Sequence, residues 1–306
     1  MMIPKNYSQY ENKVSVACAN YTTRWGDKAG NLDKMKRIVR TAGKRGGEII
    51  VFPELALSGY ECDEAGARSH APCAMHEKAA ETIPGPSTED MAKLAKELNV
   101  YVIFGMPEVD RDNPKLRYNA AAIVGPEGVL GAYRKLTLPP PPRFNERLCF
   151  LPGSEVPVWE TRFGPIGVQI CLDVYMYPEI SRIMTLKGAR LLLNVTAAPG
   201  GPGQGDFLMQ QSSARATENL VYVASANLVN KDRTIVFPGC SNIAGPGGQR
   251  LAQFLAKAGG DAEELINATV DFRLTNYWKE NLSLMESYPM GLFNEEMGKL
   301  EKKLKG

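Results

Sequence analysis

The chain has 306 residues, with 36 Lys and Arg against 34 Asp and Glu, and this near balance offers no basic face for a nucleic acid or an anionic membrane. Its apolar and charged fractions are those of an ordinary globular protein with ample material for a core. The N-terminus lacks the basic start and apolar run of a signal peptide, and no apolar stretch is long enough to span a bilayer, so a cytoplasmic protein is expected.

The elements follow in chain order. "KVSVACANY" reads as a first strand, and "NLDKMKRIVRTAGKRGG" as an amphipathic helix with Leu32, Met35, Ile38 and Val39 on one face. "EIIVFPE" is a buried strand. "STEDMAKLAKELN" is a helix for which Ser87 and Asp90 suggest a capping box. "VYVIFGMPE" is the next strand, and "NAAAIVGPEGVLGAYRK" a hairpin around Pro-Glu-Gly. "PIGVQICLD", a helix over about Tyr177–Lys187 and "ARLLLNVTA" repeat strand, helix, strand. A helix in "DFLMQQSSARATENL", the strand "VYVASANLV", a hairpin in "TIVFPGCSNIAGPGGQRLAQF" and the strand "LINATVDF" complete the pattern.

Strand–helix units mixed with hairpins predict an α/β protein with helices covering sheets, and no composition break divides residues 1–306 into more than one domain. Residues 273–306 form a tail without a clean strand. Either this tail is an arm over a neighbouring subunit or it packs across its own domain. "LPPPPR" and "APGGPGQG" read as loops at strand ends, where pockets are built.

Three strand ends carry a polar residue each. Glu54 follows "EIIVFP", Lys135 follows "GVLGAYR", and Cys171 ends "PIGVQIC". Singly, each is explained by a side chain reaching water. Together they supply a nucleophile that is only a few per cent ionised at neutral pH, a carboxylate to take its proton, and a cation for an oxyanion. No histidine is then required, and the two in the chain lie about a hundred residues upstream of Cys171.

The segments "VFPELALSGY", "YRKLTL…NERLCFLPG" and "GVQICLDVYMYPE" resemble the three signature segments of the nitrilase superfamily, the carbon–nitrogen hydrolases. The resemblance extends over about residues 12–272 and implies a four-layer α-β-β-α sandwich, commonly dimeric through helices and a C-terminal arm. It implies Glu54 as general base, Lys135 as electrostatic stabiliser, Cys171 as nucleophile, and Glu146 of "ERLCFLPG" as a second carboxylate. The implied mechanism passes through a Cys171 thioester, with the oxyanion held by Lys135 and a backbone N–H near Leu172.

Nitrile-cleaving members usually read Cys-Trp-Glu at the nucleophile, whereas this chain reads Cys171-Leu172-Asp173, which favours amides or N-carbamoyl (ureido) compounds. The arginines usual in D-carbamoylases are replaced by Val174 and Tyr175, although Arg143 offers another cation. Length leaves no room for the ATP-using domain of a glutamine-dependent NAD synthetase. Tyr60, Leu172, Tyr175, Asn194 and Thr196 are the substrate-binding candidates by position. A homodimer or higher homo-oligomer acting on a small amide or ureido compound is expected, without cofactor. Nitrile hydrolysis and a non-catalytic scaffold are the alternatives.

Cys18, Cys62, Cys73, Cys149, Cys171 and Cys240 are expected to be reduced, most of them as small buried hydrophobes. "CDEAGARSHAPCAMH" brings Cys62, His70, Cys73 and His76 within fifteen residues, but its spacing matches no compact zinc motif and no metal is expected. The Gly-rich "GPGGQ" and "GGPGQG" do not stand between strand and helix as a phosphate loop does, and are read as turns.

Overall fold

The computed structural model describes residues 7–63, 72–141, 144–200, 204–247, 254–282 and 287–305. The first half runs β1 (Lys13–Asn20), α1 (Lys28–Lys44), β2 (Ile49–Val51), α2 (Ala74–Ala79), α3 (Pro86–Leu98), β3 (Tyr101–Val109), β4 (Arg117–Gly125), β5 (Gly128–Arg134) and α4 (Glu146–Cys149). The second runs β6 (Ile166–Ile170), α5 (Leu172–Met176), α6 (Pro178–Leu186), β7 (Leu191–Thr196), α7 (Gln204–Asn219) and β8 (Tyr222–Asn227). The chain continues through β9 (Val229–Lys231), β10 (Val236–Pro238), β11 (Asn242–Ala244), β12 (Phe254–Lys257), β13 (Glu264–Asp271), α8 (Phe272–Leu282) and α9 (Met290–Lys305).

Two sheets result. One has the order β13-β1-β2-β3-β4-β5, the other β12-β11-β8-β7-β6, and β9 with β10 forms a separate small ribbon. Their central strands are parallel: β1 with β2, β2 with β3, β6 with β7, and β7 with β8. Such strands are buried on both faces, which is why they read as nearly continuous apolar runs.

The alternation of side chains sorts each strand between two cores. Val14, Val16, Cys18, Ile49, Val51, Tyr101 and Ile103 point toward the second sheet and meet Val168, Leu191, Leu193 and Val195. The alternate residues Ala17, Ala19, Ile50, Val102 and Phe104 meet Met35, Val39 and Ala42 of α1 and Met91, Leu94 and Ala95 of α3. Ile180 and Met184 of α6 and Leu208 and Ala216 of α7 join the core of the second sheet. The fold is the expected α-β-β-α sandwich.

Local signals differ from the sequence reading at the cap of α3 and after Cys171. The cap of α3 is Gly85, whose backbone exchanges 2.9 Å bonds with the Thr88 hydroxyl, while Ser87 instead bonds Glu81. Pro86 opens that helix and moves its cap two residues upstream, from Ser87 to Gly85. A short helix, α5, follows Cys171 directly, before the expected α6. The tail contains two helices, and α9 leaves Met290, Leu292, Phe293, Met297, Leu300 and Leu304 exposed.

Candidate active site

Glu54 sits three residues past β2, where the chain kinks at Leu55 with φ of 49°. The kink is tight against β3. A Cβ on Gly105 would lie 2.3 Å from the Leu55 nitrogen and 2.6 Å from the Glu54 Cα, so only glycine fits. Lys135 follows β5 directly, and its N–H bonds the Asn119 carbonyl on β4 at 2.9 Å. Glu146 opens α4.

These elements bring two carboxylates and one ammonium into a dry cluster. Glu54 and Lys135 are fully buried, and Glu146 nearly so. The Lys135 Nζ donates to Glu54 Oε1 at 2.7 Å and to both Glu146 oxygens at 2.7 and 2.8 Å. Asn119, also buried, donates from one Nδ2 to Glu54 Oε1 at 2.7 Å and to Glu146 Oε2 at 3.1 Å. The remaining Glu54 oxygen accepts the Ala197 N–H at 2.9 Å, and the Tyr60 hydroxyl donates to Glu146 Oε1 at 2.7 Å.

Burial sets the proton affinities. It pushes the Glu54 carboxyl above its ordinary range, with Lys135 opposing and Glu146 adding to the rise. Burial works against the charge on Lys135, but the carboxylates of Glu146 and Glu54 overcome it and hold its pKa well above normal. The Cys171 thiol is raised by burial first and by Glu54 second, while Lys135 and a hydrogen bond with Thr196 pull it down. At neutral pH this cysteine rests as the thiol.

Cys171 occupies a strained turn between β6 and α5, with φ 51° and ψ −104°. A β-carbon in that region costs energy, of order 1–3 kcal/mol, and persists where the surroundings over-determine it. They do so here. The Cys171 N–H donates to Val195 O at 3.1 Å and lies 3.2 Å from Asn194 Oδ1, and Thr196 meets both Cys171 and the Tyr175 hydroxyl. Two residues on, buried Asp173 accepts from the Tyr133 hydroxyl at 2.8 Å and from the N–H groups of Leu136 and Thr137 at 3.2 and 2.9 Å. Asp173 thus ties the cysteine turn to both sides of Lys135.

The structure brings Glu54, Lys135, Glu146 and Cys171 together. Of these four only Glu146 lines a cavity of about 220 Å³, whose wall also holds Tyr60, Phe144, Thr234 and Ile235. Tyr175, Asn194 and Thr196 are not in that wall; they support the cysteine turn, and Leu172 adjoins it. Arg143 and His70 lie outside the described residues. Asn119 and Asp173 were missed as site residues, the first because it reads as the polar start of an apolar strand.

A helix-flanked two-sheet sandwich with a buried thiol, ammonium and carboxylates is an arrangement suited to acyl transfer. The chain belongs to the carbon–nitrogen hydrolase family, whose model matches residues 15–280. It is 35% identical over 263 residues to a probable nitrilase of Schizosaccharomyces pombe, covering 85% of this chain and 89% of that one. It is 32% identical over 282 residues to Omega-amidase NIT2 of Xenopus tropicalis, covering 88% and 93%. In fold it is similar to Saccharomyces cerevisiae Nit3, with a TM-score of 0.77 at 23% identity over 92% of this chain and 98% of that one. An amidase from Nesterenkonia sp. AN1 gives 0.72 at 22% identity, covering 96% and 98%. The chain is thus a carbon–nitrogen hydrolase enzyme of the nitrilase superfamily. Among the described residues no helix is long and apolar enough to cross a membrane.

Proposed function

We propose that this enzyme hydrolyses a small amide through a thioester on Cys171. The observation that carries the reading is the convergence of a strained cysteine with a buried Glu54–Lys135–Glu146 cluster. The omega-amidase relatives support an amide as the scissile group, and an N-carbamoyl compound is the second substrate class.

In the proposed sequence Glu54 takes the Cys171 proton as sulfur attacks the carbonyl carbon. Its elevated proton affinity suits this, because a base works best when its pKa lies near the working pH. Charge then develops on the carbonyl oxygen, and the Lys135 ammonium with the Leu172 N–H stabilises it. Glu54 returns the proton to the leaving ammonia or amine. Water, deprotonated by Glu54 with Glu146 holding Lys135 in place, cleaves the thioester and regenerates the thiol. Tyr60 orients Glu146 from the cavity side.

We read the chain as one domain acting in the cytoplasm. The exposed apolar residues of α9 support a homodimer or larger homo-oligomer, and light scattering on the chain with and without residues 287–306 tests this. The catalytic reading is tested by ammonia release from a panel of amides, N-carbamoyl amines and nitriles. Turnover of nitriles alone would contradict it.

A further inference from the structure

Away from the carboxylates, a second set of reactive side chains converges. The sulfurs of Cys62 and Cys73 and a ring nitrogen of His76 lie within 4.8 Å of one another. A fourth group joins from far along the chain: Cys149 Sγ is 3.4 Å from Cys62 Sγ and near enough to Cys73 and His76 to interact with both electrostatically. Sequence spacing hides this set, because Cys149 is 87 residues from Cys62.

The geometry points to a structural zinc site with the ligands Cys62, Cys73, His76 and Cys149. Tetrahedral zinc with Zn–S bonds of about 2.3 Å and Zn–N bonds of about 2.1 Å needs donor atoms spaced by about 3.6–3.8 Å. The Cys62 and Cys149 sulfurs, 3.4 Å apart, are near that spacing and far beyond a disulfide bond of about 2.05 Å, and the Cys62, Cys73 and His76 donors lie within 4.8 Å of one another. Three thiolates and an imidazole form a soft donor set that favours zinc over magnesium or calcium.

The surroundings are arranged as around a bound metal. His76 is buried, and its Nε2 bonds the Gly59 carbonyl at 3.1 Å, which fixes the proton on that nitrogen. The other nitrogen, Nδ1, is buried without a hydrogen-bond partner. An orphaned lone pair of this kind is costly unless something accepts it, and a metal does. The Asp63 N–H donates to the Cys73 sulfur at 3.3 Å, and the Asp63 carboxylate accepts from that sulfur at 3.6 Å, a bond that metal binding would replace. Zinc binding displaces the three thiol protons to solvent and forms four metal–ligand bonds.

Four protein ligands leave no open position, so the ion holds structure and performs no chemistry. What it holds matters to the reaction. Cys149 ends the four-residue helix that begins with Glu146, and Cys62 lies two residues past Tyr60. Zinc therefore staples the Glu146 helix to the Tyr60 segment on the cavity side, and both Glu146 and Tyr60 line the same cavity as Cys62, His76 and Cys149.

The test is elemental analysis of the full chain, purified with reductant and without chelator. One zinc per chain is expected, falling at least tenfold in Cys149→Ser and in Cys73→Ser but unchanged in Cys240→Ser. Should those variants fail to fold, cobalt-substituted wild-type protein gives a second readout: thiolate-to-cobalt charge transfer and intense tetrahedral d–d bands. Zinc below about 0.1 per chain without cobalt bands, or zinc indifferent to both substitutions, would overturn the proposal. So would a Cys62–Cys149 disulfide in protein kept under reductant.

Discussion

The ammonium of Lys135 lies 2.7 Å from Glu54 Oε1, and neither side chain is exposed to solvent. A buried ion pair of this kind gains little net stability, because desolvation of two charges consumes most of the attraction. Its presence is better explained by chemistry. Lys135 keeps Glu54 and Glu146 from repelling one another, and in the proposed mechanism it stands, already dry, where negative charge forms.

Removing that charge has two separable effects. Lys135→Met is expected to lower kcat/KM by at least about a hundredfold, as loss of an oxyanion donor does. It also strands two buried carboxylates, so stability should fall by about 3–5 kcal/mol in urea unfolding. A variant that keeps wild-type turnover would remove Lys135 from the mechanism.

The pH profile follows from Glu54. As a base it must be ionised, and burial raises its pKa, so the acid limb of kcat/KM should lie above the range of an ordinary glutamate. Activity is lost as pH falls through that limb. Glu54→Gln should lower the rate by about 10²–10⁴ and abolish the limb. A limb at or below about pH 4.3 would mean that another group titrates.

Alkylation reports on the same proton. Because burial raises the Cys171 thiol, its reaction depends on a nearby group that takes the proton as sulfur attacks. Iodoacetamide should label Cys171 at neutral pH in the wild type and at least tenfold more slowly in Glu54→Gln. Equal rates would show that Glu54 does not activate the thiol.

Asp173 is expected to act through position. Asp173→Asn replaces one carboxylate oxygen with a donor, which cannot serve both the Tyr133 hydroxyl and the Leu136 and Thr137 amides. A stability loss of about 1–3 kcal/mol and a fall in kcat with KM little changed should follow. A change confined to KM would place Asp173 in substrate binding.

The triad was legible in sequence because each of its residues ends an apolar run, and such ends meet at one rim of stacked sheets. Asn119 was not legible, and the reason is register. The Gly125–Gly128 pair at the hairpin end would carry residue 119 to a position opposite residue 134. A shift between Ile123 and Val124, close to Gly131 with φ of 151°, offsets the pairing by one, so that Ala120 faces Arg134 and Asn119 comes beside Lys135. A bulge of that kind cannot be read from an Ala-rich strand. Cys149 was hidden for another reason: the loop that returns it to Cys62 leaves no periodic trace. Sheets covered by helices, by contrast, were written in strands apolar on both faces, and the α-β-β-α layering was implied by the family resemblance.

The most direct test of the account is the mass of the enzyme acid-quenched during turnover of an amide substrate. The acyl group should be found on the peptide containing Cys171, and Cys171→Ala should show neither the adduct nor ammonia release. Undiminished ammonia release by Cys171→Ala, or an acyl group on a different residue, would contradict it.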